Sequence, residues 1–109
     1  KFVKANFPEN KVLYASKDDD IVFPEYEVGL DNGVSIDFRN DGQLEKIKAP
    51  QTGVPASIIP AKIREYVAAH YPGVKYFEYE VDKTGYEVKI SNGLELRFSS
   101  SFHLVDIDD

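Results

Sequence analysis

Few side chains in this sequence have a type and spacing suited to chemistry. His70 and His103 are the only groups whose ordinary titration lies near neutrality. A histidine acting as general base needs a nucleophile or an orienting carboxylate beside it, and no Ser or Asp stands at a recognisable spacing from either. Structural roles are therefore expected, with His70 at a helix end, where positive charge is favourable, and His103 in the last strand. Asp18, Asp19, Asp20, Asp106, Asp108 and Asp109 could offer oxygens to calcium. A hard cation wants several oxygens converging from one shaped loop, and the spaced Asp-x-Asp-x-Asp-Gly pattern is absent, so a solvated turn and a solvated terminus are the favoured reading. With no Cys, a thiol nucleophile, a disulfide framework and a thiolate zinc site are excluded. No catalytic residue, metal ligand or cofactor is expected.

The charge balance narrows the partners. A net charge of −6 with 13 scattered Lys and Arg argues against a nucleic-acid backbone, which needs a concentrated basic patch. No apolar run reaches the roughly 18 residues of a membrane span. The absence of Met leads us to expect a processed or trimmed N-terminus.

What must position any functional residue is a tandem repeat. Tyr26-Glu27-Val28-Gly29-Leu30-Asp31-Asn32-Gly33-Val34-Ser35-Ile36-Asp37-Phe38 returns as Tyr86-Glu87-Val88-Lys89-Ile90-Ser91-Asn92-Gly93-Leu94-Glu95-Leu96-Arg97-Phe98. Upstream, Phe2 to Pro8 matches Tyr66 to Pro72, and downstream Leu44 and Ile47 match Leu104 and Ile107. Lys1 aligns with Glu65, so the counterpart of 59–64 is missing and the first helix is expected to be short. Repeat unit one is placed at 1–48, a linker at 49–56 and unit two at 57–109, all within one domain, because each unit alone would be marginal in size.

Each unit reads as one helix followed by four strands. Ile59, Ile63, Tyr66, Val67 and His70 share one helical face, Pro60 stands where the helix starts with Ser57 as candidate cap, and Tyr71-Pro72 ends it. The period then falls to two. Strands are expected near 11–17, 24–30, 34–39, 43–48, 74–82, 86–91, 94–99 and 102–108, with hairpin turns at Asn32-Gly33 and Asn92-Gly93. Short connections make them antiparallel neighbours. The fold class is α+β, one antiparallel sheet of about eight strands with both helices on one face. Tyr26, Val28, Ile36, Phe38, Tyr86, Val88, Leu96 and Phe98 are expected in the core.

The opposite face is then open, and Glu27, Asp37, Arg39, Glu87, Lys89, Glu95 and Arg97 project from it. This pattern suits a solubilising ladder and equally a polar, electrostatically selected interface. A second candidate is a loop. Seventeen residues separate Pro8 from Tyr26 against thirteen between Pro72 and Tyr86, and the excess falls in Lys17 to Phe23. Asp19, Asp20, Ile21 and Phe23 could touch a partner there, because function is often grafted on loops; a longer hairpin packing down its apolar residues is the alternative.

A helix ending in aromatic-Pro, a four-stranded meander, a Tyr-Glu-Val hairpin strand and an Asn-Gly turn, all duplicated, resemble the PepSY-like family, also described as β-lactamase-inhibitor-like. The resemblance covers 2–47 and 59–107. It implies a periplasmic or secreted bacterial protein that binds another protein and is not an enzyme. The expected function is a binding module, inhibitor-like, using the open sheet face, with Asp19, Asp20, Ile21, Phe23, Arg39, Glu87, Lys89, Glu95 and Arg97 in contact with a cell-envelope protein. The alternative is an envelope ligand- or cation-sequestering protein.

Overall fold

The structure, a computed structural model, describes residues 2–18, 25–39 and 41–109. A helix α1 (Phe2–Asn6) leads into strands β1 (Val12–Asp18), β2 (Glu25–Leu30), β3 (Ser35–Phe38) and β4 (Leu44–Lys48). After a 3₁₀ turn (Ala56–Ile58), helix α2 (Ala61–His70) is followed by β5 (Tyr76–Asp82), β6 (Gly85–Ile90), β7 (Glu95–Ser99) and β8 (Leu104–Asp108). The eight strands form one antiparallel sheet in chain order. Among the described residues no helix is long and apolar enough to cross a membrane.

The repeat is visible down to single hydrogen bonds. Asn32 Oδ1 accepts from the Val34 amide at 3.1 Å and Asn92 Oδ1 from the Leu94 amide at 3.0 Å, so each side chain closes its own two-residue turn as Asn favours. Each unit has a bulge at the same step, between Asp37 and Phe38 and between Arg97 and Phe98. The rings Phe2 and Phe38 meet edge to face at 5.6 Å and 82°, and their counterparts Tyr66 and Phe98 at 5.5 Å and 81°. Phe38 and Phe98 point to one side of the sheet, so these two contacts seat both helices on the same face.

Between helices and sheet lies one apolar cluster. Ile36, Ile47, Val88, Leu96 and Phe98 from the strands are shielded together with Ile59, Ile63 and Val67 around α2. The connection between units is part of it: Ala49 and Val54 are buried, and the Val54 amide donates to the Tyr76 carbonyl at 2.6 Å. Ser57 falls in the 3₁₀ turn and caps nothing; Pro60 occupies the cap position without a side-chain bond.

The units differ in how well they are roofed. The five residues of α1 bury none of their own side chains, against Ile63 and Val67 in the ten of α2. Phe38 and Val28, expected in the core, are only half-buried, and Tyr26, expected there too, is 38% exposed, since unit one has Ala15 and Gly42 where Tyr79 and Phe102 stack on Tyr86. Tyr86 is also half-buried, stacked at 4.9 Å on Phe102. Phe102 holds φ 70° where unit one has Gly42 at φ 86°, a left-handed conformation costing a bulky residue about 1 to 3 kcal/mol, which the stacking offsets.

The unequal roofing sets an expected outcome. Phe98→Ala should lose about 3 to 5 kcal/mol in urea denaturation, the range for emptying a sealed aromatic site. Phe38→Ala, at the equivalent but half-covered position, should lose about half as much. Equal losses would show that α1 seals its side as well as α2 does.

Candidate functional site

Strand pairing places two rows of side chains across the face opposite the helices. In the first, Ser16, Glu27, Asp37 and Lys46 of β1 to β4 continue into Glu80, Glu87, Arg97 and Asp106 of β5 to β8. In the second, Tyr14, Gly29, Ser35 and Lys48 continue into Glu78, Lys89, Glu95 and Asp108. These two rows carry eight carboxylates against four cations, so the face is acidic but not uniformly so.

The charges are organised around two centres in unit two. Glu78 lies 3.7 Å from Lys46 and 4.0 Å from Lys89, tying β4, β5 and β6 together. Arg97 reaches Asp82 at 3.1 Å and Glu87 at 3.6 Å. Asp82 is held by its own turn: its Oδ1 accepts from the Thr84 amide at 2.8 Å, the Thr84 hydroxyl at 2.7 Å and the Gly85 amide at 3.0 Å. Those Thr84 bonds, then the guanidinium of Arg97, hold the Asp82 carboxyl down at about 2, because each favours the charged form. Gly85 is required at that turn, with φ 153° and a notional Cβ only 2.0 Å from the Phe98 carbonyl oxygen. Glu87 moves the other way: partial burial, then the carboxylates of Glu95 and Glu80, raise its pKa.

Unit one answers with an aromatic side chain. Tyr14 stands where unit two has Glu78, and Gly29 where it has Lys89. The Tyr14 ring lies flat over Gly29, so close that a Cβ there would sit 2.0 Å from Cε2, and the hydroxyl donates to Glu27 Oε2 at 3.3 Å. The ring is held in place and still 47% exposed. Sequence reasoning missed Tyr14, although a small residue at the Lys89 position was the available signal. It also missed Lys46, Glu78 and Glu80, which belong to strands without the Tyr-Glu-Val signature, and Asp82, whose Asp-x-Thr-Gly turn could have disclosed it.

The residues proposed from the sequence fall into three groups. Glu87, Lys89, Glu95 and Arg97 come together on the face, with Lys89 directly opposite Glu95 and Glu87 opposite Arg97. Arg39 follows the end of β3, half-buried. Asp19, Asp20, Ile21 and Phe23 lie outside the described residues. Of the histidines, His70 stacks on Tyr66 at 4.2 Å and His103 donates its amide to Ser99 Oγ at 3.2 Å. Among the described residues no three His, Asp or Glu side chains are grouped so as to hold a metal ion.

Known proteins carry the same architecture. The structure superposes with a TM-score of 0.95 on a "putative calcium-regulated periplasmic protein" of Bacteroides thetaiotaomicron, 42% identical over 99% of this chain and 85% of that one. A "putative periplasmic protein" of Bacteroides vulgatus gives a TM-score of 0.95 at 38% identity, with 99% and 85% covered. A second from Bacteroides vulgatus, described as of unknown function, gives 0.93 at 29%, with 99% and 86% covered. None of these descriptions names a reaction. The family model described as "Putative beta-lactamase-inhibitor-like, PepSY-like" matches residues 1–46 and 24–106. No curated protein matches the chain.

The Asp82 turn makes a pH prediction. A carboxyl whose folded pKa is lowered from 3.8 to about 2 stabilises the fold above pH 4 and loses that contribution as pH falls toward 2. Asp82→Asn should therefore cost about 0.5 to 1 kcal/mol at pH 7, less than the full displacement implies because solvent screens an exposed pair. The gap to the parent should close between pH 4 and 2. Urea denaturation at pH 7, 4 and 2.5 measures it; a gap unchanged at pH 2.5 would assign the effect to the turn's neutral hydrogen bonds.

Proposed function

This chain belongs to the PepSY-like, β-lactamase-inhibitor-like family, and from that membership we propose that it is a periplasmic, non-enzymatic module, one domain spanning both units, that holds another protein against the open face of its sheet. One observation carries the reading: two rows of polar residues, broken only by Gly29 beneath the Tyr14 ring, cross all eight strands, with both helices on the other side. Such a surface is wide enough for a protein. The oppositely shifted Asp82 and Glu87 would suggest an acid and base pair, but Thr84 and then Arg97 lower Asp82, while burial and the carboxylates of Glu95 and Glu80 raise Glu87 against the pull of Arg97, which is what a structural ion-pair network produces.

Within the face the residues divide by task. Tyr14 is the anchor, a rigid amphipathic ring of the kind that carries binding energy at interface centres. Lys89, Glu95 and Arg39 provide electrostatic selection, while Arg97 and Glu87 keep the strands in order beneath. The segment holding Asp19, Asp20, Ile21 and Phe23 follows β1, the strand of Tyr14, and would extend contact beyond the sheet.

A second reading is favoured by the relative described as calcium-regulated: excess carboxylates on the face sequester a cation. Calcium titration followed by amide NMR separates the two. Micromolar calcium shifting Asp106, Asp108 and their neighbours would support sequestration.

Capture from a native envelope extract tests the binding reading. Tyr14→Ala should weaken capture about tenfold or more, as removal of an aromatic anchor does. The swap Lys89→Glu with Glu95→Lys, which preserves the cross-strand pair while inverting the pattern, should weaken capture and alter its salt dependence. His70→Gln with His103→Gln should leave it intact. Loss in the histidine pair with retention in the other two would overturn the assignment.

A further inference from the structure

The sheet has two free edges among the described residues, β1 and β8, and the repeat supplies a template for what the β8 edge accepts. β8 is the counterpart of β4: Ile107 pairs with Leu96 as Ile47 pairs with Ile36, and Asp106 and Asp108 stand where Lys46 and Lys48 stand. β4 is not free. β5 covers it, with Lys46 opposite Glu80, Ile47 opposite Tyr79 and Lys48 opposite Glu78, and the Ala49 amide donates to the Phe77 carbonyl at 2.8 Å. The alternation of antiparallel bonding then turns the N–H and C=O of Ile47 toward β5, and those of Ile107 toward open solvent.

The side chains follow suit. Ile47 is fully buried beneath its neighbour strand, whereas Ile107 is 45% exposed and Val105 59%. β8 thus presents a strand's unpaired backbone, an uncovered apolar position and, on the open face, aspartates on either side of it.

The charge at those flanking positions is reversed relative to the template. A strand paired to β4 needs acid, apolar, acid, and β5 supplies Glu80, Tyr79 and Glu78. A strand paired to β8 needs base, apolar, base. The chain's own β1, the counterpart of β5, does not meet this need: its equivalent residues are Ser16, Ala15 and Tyr14. It brings neither aspartate a cation, although Asp106 has Arg97 opposite it on β7, and it would leave Ile107 under a single methyl group. Pairing of β8 with β8 would set aspartate near aspartate. From this we infer that the β8 edge is a docking site for an extended basic segment of another polypeptide, one that adds a ninth strand with Lys or Arg opposite Asp106 and Asp108 and a bulky apolar residue opposite Ile107. Main-chain bonds supply affinity and the flanking charges supply selection, as in strand addition generally. The site is separate from the Tyr14 end of the face and does not depend on the role proposed there.

The template also provides the probe. A synthetic peptide with the β5 sequence 76–82 carrying Glu78→Lys and Glu80→Lys is titrated into the labelled full chain and followed by amide NMR. Shifts should concentrate at residues 105–109, weaken with salt, and report an affinity about tenfold above that of the unchanged β5 peptide, whose glutamates face the aspartates. Asp106→Lys with Asp108→Lys should reverse that preference. Ile107→Pro removes the outward N–H at an edge position where Pro is tolerated; it should abolish binding while circular dichroism and the melting temperature stay near the parent's. Equal binding of the two peptides, shifts on β1 or the Tyr14 end, or no shift at millimolar peptide would overturn the inference. So would sedimentation showing that the chain associates with itself through β8.

Discussion

The structure depends on the junction where β4 meets β5. Each unit alone is a short helix on four strands, too small to shield much apolar surface, and each would end in a bare edge. Pairing Lys46, Ile47 and Lys48 with Glu80, Tyr79 and Glu78 joins the two into one sheet and lets Ile47 and Tyr79 share a core that neither unit could close. Tyr79 shows the depth of that closure, since burial pushes its hydroxyl up to about 12. The same pairing aligns the charged rows of both halves, so the open face is continuous only because the junction is in register. A slip of one residue would turn Ile47 to solvent and Lys46 into the core.

A duplicated scaffold makes differences between its halves informative. The aromatic contacts under the helices, the Asn-Gly turns and the bulges are the same in both units because the fold needs them. The open face is not the same. Unit two fills it with ion pairs around Glu78 and Arg97, while unit one replaces the Glu78 and Lys89 pair with a tyrosine lying on a glycine. Gly29 gives up strand propensity to let that ring lie flat. The ring covers Gly29, which is buried beneath it, an aromatic cover of the kind that rescues a glycine near a sheet edge, and its other side stays open to solvent.

Much of the fold was legible because it was written twice. Two weak strand patterns in register with two Asn-Gly turns reinforce each other, and eight strands follow with boundaries shifted by a residue or two. The burial of Tyr26 and Phe38 was not legible in the same way. The repeat assigns them the environment of Tyr86 and Phe98, but Phe38 is covered by a helix half as long, and Tyr26 lacks the stacked rings of Tyr79 and Phe102 that cover Tyr86; alternation alone reports neither. The face was legible where it lay in the repeated hairpins, as for Glu87, Lys89, Glu95 and Arg97. It was hidden at Tyr14, Lys46, Glu78 and Glu80, because β1, β4 and β5 diverge between the units and their inward and outward positions emerge only from pairing. The loop residues Asp19, Asp20, Ile21 and Phe23, outside the described residues, gain nothing from it.

Open sheets must also avoid pairing indiscriminately. β1 carries exposed Val12 and Leu13, and its bulge between Val12 and Tyr14 matches the one between Tyr76 and Glu78 of β5, which pairs with β4 all the same, so the bulge belongs to the repeated scaffold. β8 keeps a regular ladder from Asp106 to Asp108, where the aspartates set charge against pairing with a second β8. The lysines that make β4 cohesive have become aspartates there, and neither β1 nor β8, the two free edges among the described residues, carries the basic, apolar, basic strand that would propagate the repeat outward. The outward N–H and C=O of Ile107 thus stand between two carboxylates, so a strand added there would have to bring positive charge to both flanks.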